Sequence, residues 1–169
     1  MKYIIYKKTI KRRNGLVSKG LSYFFPKFHK AIVYRKQLIR ASYWYLEIDE
    51  KGKVIREIGF NSFNDPIAIA PWRGNDGRWP ESEVTFNPDE YEHLCESDFV
   101  NIWCDVEQKK IMRRRFVGSK ARDYVEKKIT HKEFFAECYY EDDWVIDEIV
   151  DSIEHGRNVP DHLIEELEK

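Results

Sequence analysis

The chain has 169 residues, 42% of them apolar and 15% aromatic, with a formal net charge of −1. That composition excludes a chain too polar to collapse, and no run approaches the roughly 18 apolar residues of a membrane span. The neutral total hides an asymmetry: twelve Lys and Arg precede the first acid, Glu47, so the remaining 123 residues carry thirteen excess negative charges.

A sign asymmetry of this kind concerns association rather than fold. The length predicts one domain, or one domain with an arm, able to bury roughly 65 to 70% of its unfolded surface. The N-terminus lacks the apolar stretch and cleavage site of a secretory signal, so a cytoplasmic location is expected. Cys95, Cys104 and Cys138 form an odd set without CxxC spacing, which disfavours a disulfide framework or a zinc knuckle and predicts reduced, buried thiols.

Residues 1 to 40 alternate basic clusters with aromatic or branched runs: Tyr3 to Tyr6, Leu21 to Phe25 and Ala31 to Tyr34. They are expected to be a basic arm, added strands, or an upstream extension of a shorter protein beginning near Ala41. Residues 41 to 169 are expected to form a single α+β domain, an antiparallel β-meander over 41 to 86 packed against a helical part over 87 to 169.

The pattern becomes regular at Ser42. Trp44, Leu46 and Ile48 alternate with Tyr43, Tyr45 and Glu47 before the turn Asp49-Glu50-Lys51-Gly52, which predicts a hairpin. Val54, Ile58 and Phe60 are expected to share the inward face of the returning strand, with Leu46 opposite Val54, Glu47 opposite Lys53 and Arg56 opposite Trp44. Pro66 and Pro71 bracket a short strand over 67 to 70 and place it at a sheet edge. A turn-rich loop, Trp72 to Pro80, follows, and residues 81 to 86 could add a fourth strand.

The second half reads as helices. Phe99, Ile102, Trp103 and Val106 have helical spacing after a Ser97 cap, predicting a helix that ends near Lys109. Ser119 caps another through Lys128. Thr130 to Glu133 is a capping box for a short helix containing Phe134, Phe135 and Cys138. A helix from Asp142 or Asp143 presents Ile146, Ile149, Val150 and Ile153 and stops at Gly156; Pro160 opens a last helix with Leu163, Ile164 and Leu167 on its apolar side.

Charge is blocked along these helices. Residues 89 to 107 hold seven acids and no Lys or Arg, residues 109 to 122 hold seven bases and no acid, and residues 133 to 154 hold nine acids and no Lys or Arg. Two acidic surfaces follow: one from Asp89, Glu90, Glu92, Glu96, Asp98, Asp105 and Glu107, the other around Asp142, Asp143 and Asp147 with Tyr139, Tyr140 and Trp144 as aromatic anchors. Those six residues of the second surface are the expected partner-binding set.

No phosphate-binding glycine loop, HExxH or GxSxG occurs. His93 beside Glu90 and Glu92, and His155 beside Glu154 and Asp151, read as solvated helix faces rather than catalytic or metal pairs. Glu47, Asp49 and Lys51 would be the residues of a metal-dependent hydrolase, but a turn tip offers little support for such a site. No enzyme activity, metal or cofactor is expected. The basic clusters interleaved with aromatics make nucleic acid an alternative partner, with Lys11, Arg12 and Arg13 on phosphates.

The run Tyr43 to Phe60, followed by Asp65-Pro66-Ile67 and Gly77 to Ser82, resembles small bacterial domains found beside polymorphic toxin genes. Lys128-Ile129-Thr130-His131-Lys132-Glu133-Phe134 is similar to a helical phrase of colicin-type immunity proteins. Together the two stretches span about half the chain. The resemblance implies a non-enzymatic cytoplasmic immunity protein that binds a toxin domain, commonly a nuclease, and occludes its active site. It transfers no functional residue, because immunity interfaces differ from one toxin to the next.

Overall fold

β-Branched and aromatic residues at alternate positions commit the N-terminal half to strands. In the computed structural model, which describes residues 1–7, 40–73, 84–139 and 143–169, these are β1 (Lys2–Lys7), β2 (Tyr43–Ile48), β3 (Val54–Phe60), β4 (Pro66–Ala70) and β5 (Glu92–His93). They form one antiparallel sheet in the order β4-β3-β2-β1-β5. Four α-helices follow: α1 (Glu96–Val125), α2 (His131–Glu137), α3 (Trp144–Glu154) and α4 (Asp161–Glu168). The fold is α+β. Two compact units divide it, Met1–Glu107 and Gln108–Lys169, with the division inside α1.

In the first unit, residues 2 to 7 are an interior strand. Ile4 pairs with Leu46 on one side and His93 on the other and is fully buried. β4 lies at the sheet edge, where Pro66 and Pro71 cost no interior ladder bonds. Of the strand expected over 81 to 86, residues 81 to 83 lie outside the described residues, and Thr85 forms an isolated bridge with Lys53.

The β2–β3 register corrects the sequence expectation. Ile48 opposes Val54, Glu47 opposes Arg56, Leu46 opposes Glu57 and Trp44 opposes Gly59, with a bulge between Glu47 and Ile48. The turn imposes this. Asp49 Oδ1 accepts from the amides of Lys51 and Lys53, both at 2.8 Å, and Gly52 adopts φ 78°, a left-handed conformation that favours glycine. The extra residue on β3 inverts its side-chain phase. Val54 therefore joins Ile4, Trp44, Leu46, Ile48 and Phe86 on one face, whereas Ile58 and Phe60 join Tyr3, Phe99, Trp103 and Val106 on the other. Gly59 leaves room for the Trp44 ring; a Cβ there would lie 2.7 Å from it.

α1 is continuous over 30 residues, not the two helices expected with a break after Lys109. Residues 109 to 117 contain no Gly or Pro, so nothing stops the helix, and Ser119 lies in its interior rather than at a cap. Gly118 is tolerated because α4 packs close: a Cβ there would meet Leu167 Cβ at 3.0 Å.

The core of the second unit gathers Val117, Ala121, Phe134, Cys138, Ile146, Ile149, Ile153, Leu163, Ile164 and Leu167 among its buried residues. Full burial of each large aliphatic or Phe side chain contributes about 1.5 to 3 kcal/mol. The capping box forms as expected: Glu133 accepts from the Thr130 amide at 2.7 Å, and Thr130 Oγ1 accepts from the Glu133 amide at 3.3 Å. Gly156 ends α3 at φ 64°. Of the thiols, Cys138 is buried, but Cys95 and Cys104 are exposed, which corrects the expectation of three buried cysteines.

Candidate interaction surfaces

Of the six expected partner-binding residues, the four described, Tyr139, Asp143, Trp144 and Asp147, do not share one exposed face. Tyr140 and Asp142 lie outside the described residues, as do Lys11, Arg12 and Arg13. Tyr139 is 60% exposed, with the Arg113 guanidinium 5.6 Å from its ring centroid. Trp144 is half-buried against the core of the second unit.

Asp143 and Asp147 are turned inward. Asp143 caps α3, its Oδ1 accepting from the amides of Val145 at 2.9 Å and Ile146 at 3.4 Å. Its other oxygen accepts from Arg114 Nη1, and Arg114 Nη2 donates to the Glu166 carbonyl at 3.1 Å and to Glu166 Oε1 at 3.4 Å. Asp147 is 1% exposed. Helical spacing identified the apolar side of α3 but not its width: seven of its eleven residues are buried, and Asp147 falls within that arc.

The acidic surface of the first unit is different. Asp89, Glu90, Glu92, Glu96, Asp98 and Asp105 are all exposed, and Glu107 is half-buried. A 3-10 turn, Pro88–Glu90, capped by Asn87, presents Asp89 and Glu90; β5 presents Glu92; the first turn of α1 presents Glu96 and Asp98, where acids complement the helix dipole. Lys2 Nζ lies 3.8 Å from Asp89 and Lys7 Nζ 3.2 Å from Glu92, both exposed pairs that contribute little to stability.

Beneath α1, Tyr3, Glu47 and Arg56 form a cross-strand row through β1, β2 and β3. Tyr3 Oη donates to Glu47 Oε1 at 3.2 Å, and Arg56 Nε donates to Glu47 Oε2. Arg56 also stacks, 5.2 Å from the Phe99 centroid and 5.1 Å from that of Trp103. Burial, followed by the Glu47 charge, pushes the Tyr3 hydroxyl up to about 12; the bond to Glu47 raises Arg56 further above its usual range. Sequence reasoning missed this cluster because it depends on the bulge.

Two members of the hydrolase triplet are engaged elsewhere: Glu47 joins this row and Asp49 shapes the turn. Asp151, Glu154 and His155 have potential ligand atoms within 4.8 Å of one another, but Arg157 bonds Asp151 and His155 Nδ1 lies 3.2 Å from it, an arrangement that serves the C-terminus of α3. His93 pairs in β5. Cys95 Sγ lies 3.1 Å from Ser97 Oγ, a contact that lowers the thiol pKa. An open groove of about 450 Å³ is lined by Tyr124, Lys127, His131 and Arg157 among others.

Among the described residues, no helix is long and apolar enough to cross a membrane. Comparison with protein-family models, curated proteins and solved structures finds no match.

Proposed function

We propose that this chain is a non-enzymatic cytoplasmic binding protein of the toxin-immunity kind, which occludes a basic toxin domain by tight association. The observation that carries this reading is the exposed acidic surface of the first unit, where Glu90 stands on a capped 3-10 turn and Glu96 and Asp98 on the first turn of α1. Such a surface speeds encounter with a basic partner and fixes its orientation. The hairpin and capping box that carry the resemblance to immunity proteins add support. Because Asp143 and Asp147 face inward, the contact we propose is the Asp89 to Asp105 surface rather than α3.

The test is capture of a partner from the native host, followed by reconstitution with the purified partner domain. Reversing Glu90, Glu96 and Asp98 to lysine is expected to slow association at least about tenfold at low salt. A partner without toxic activity overturns the immunity reading, and an unchanged association rate overturns the acidic surface. The nucleic-acid alternative is tested by reversing Lys11, Arg12 and Arg13, not by starting the chain at Ala41, because that truncation removes the interior strand β1.

A further inference from the structure

The β3–β4 connection holds a large aromatic in water on a firmly braced turn. Phe63 is 82% exposed. Asn61 Oδ1 accepts from the amides of Phe63 at 2.8 Å and Asp65 at 2.9 Å, while Asn61 Nδ2 donates to Asp65 Oδ2 at 3.0 Å. The backbone closes through Asn61 N to the Asp65 carbonyl at 3.0 Å and Asn64 N to the Asn61 carbonyl at 3.3 Å. Asn64 takes the left-handed conformation at φ 66°, and Tyr43 Oη donates to its Oδ1 at 3.2 Å. None of these bonds uses the Phe63 side chain. The bracing of the turn therefore does not depend on the ring.

We propose that Phe63 is a preorganised anchor that inserts into an apolar pocket of a partner protein. The bracing lowers the cost of ordering the loop backbone on binding, and aromatic side chains, Phe among them, are enriched at protein interfaces. Charge selects a protein over a bilayer: residues 61 to 70 contain Asp65 and no Lys or Arg, whereas an aromatic aimed at anionic lipid is flanked by cations. The polar surroundings, Ser62, Asn64 and Asp65, suit a pocket rimmed by hydrogen-bond donors. The inference rests on the reading of the chain as a protein-binding molecule and adds its anchor.

The experiment places the photoreactive residue p-benzoylphenylalanine at position 63 of the full chain in the native host. The cross-linked protein is identified, purified and titrated against the wild type, Phe63→Ala and Phe63→Leu. A single protein adduct is expected, with affinity about 30-fold or more weaker for Phe63→Ala, largely restored in Phe63→Leu, and an unchanged melting temperature. Adducts only to lipid, no adduct, or equal binding by Phe63→Ala overturns the anchor. A partner that depends on Phe63 but has no toxic activity leaves the anchor standing and removes the immunity reading; a toxin domain bound equally by Phe63→Ala does the reverse.

Discussion

Arg56 donates to Glu47 across the one irregularity of the β2–β3 pair, and the bond and the bulge support each other. Without the extra residue Arg56 would not stand opposite Glu47. Glu47 is 5% exposed and would then lie in an apolar layer without its cation. Phe99 and Trp103 enclose the guanidinium from α1, which lowers the local dielectric and strengthens the pair.

Removing one partner leaves the other charge buried. Arg56→Ala is expected to cost roughly 2 to 3 kcal/mol, toward the low end for a broken buried pair because the arginine is partly exposed. Arg56→Met with Glu47→Leu should cost less than the two single changes added together. A double-mutant cycle in urea, read by amide exchange of β1 to β3, measures the coupling; strict additivity would show that the pair is not the organising contact.

Tyr3 gives the first unit an alkaline limit. Its hydroxyl titrates near 10 in an unfolded chain and at about 12 in the fold, because burial and Glu47 disfavour the tyrosinate. Its contribution is complete below pH 10 and is lost as pH rises from 10 toward 12. Tyr3→Phe removes that slope while costing about 1 kcal/mol at neutral pH through the lost hydrogen bond. Stability against pH for the two proteins should therefore converge above pH 10, and parallel curves would contradict the assignment.

Arg114 organises the second unit, joining the α3 cap at Asp143 to the C-terminal turn of α4 at Glu166. Arg114→Ala is expected to destabilise by about 3 kcal/mol or more, since Asp143 stays buried beside the void. Arg114→Met with Asp143→Asn should recover part of that loss, because asparagine keeps the cap without the charge. Thermal unfolding followed by the helical circular dichroism signal reads both variants.

The capping box sets an acid limit for α2. Thr130 bonds, the backbone amide foremost, hold the Glu133 carboxyl below its ordinary range. Its support is present above the usual glutamate value of about 4.3 and disappears as pH falls through the lower folded value. Glu133→Gln should flatten the dependence of α2 amide protection on pH between 5 and 3. Retention of the wild-type slope would assign it to another group.

Relationships between near neighbours were legible along the chain: strand alternation at Tyr43 to Ile48, the Gly52 turn, the capping box at Thr130 and the apolar sides of the last two helices. These are local relationships of backbone and period, visible within a few residues. The chain's charge blocks also placed the acids of residues 89 to 105, which are exposed. Tertiary structure decided the rest. The bulge that moved Val54 and Ile58 to opposite faces exists only when β2 and β3 pair, and the inward turn of Asp143 depends on the Arg114 guanidinium reaching it from α1. Phe63 gave no signal as a lone aromatic in a polar stretch; its exposure on a braced turn emerges only when Asn61, Asn64, Asp65 and Tyr43 meet.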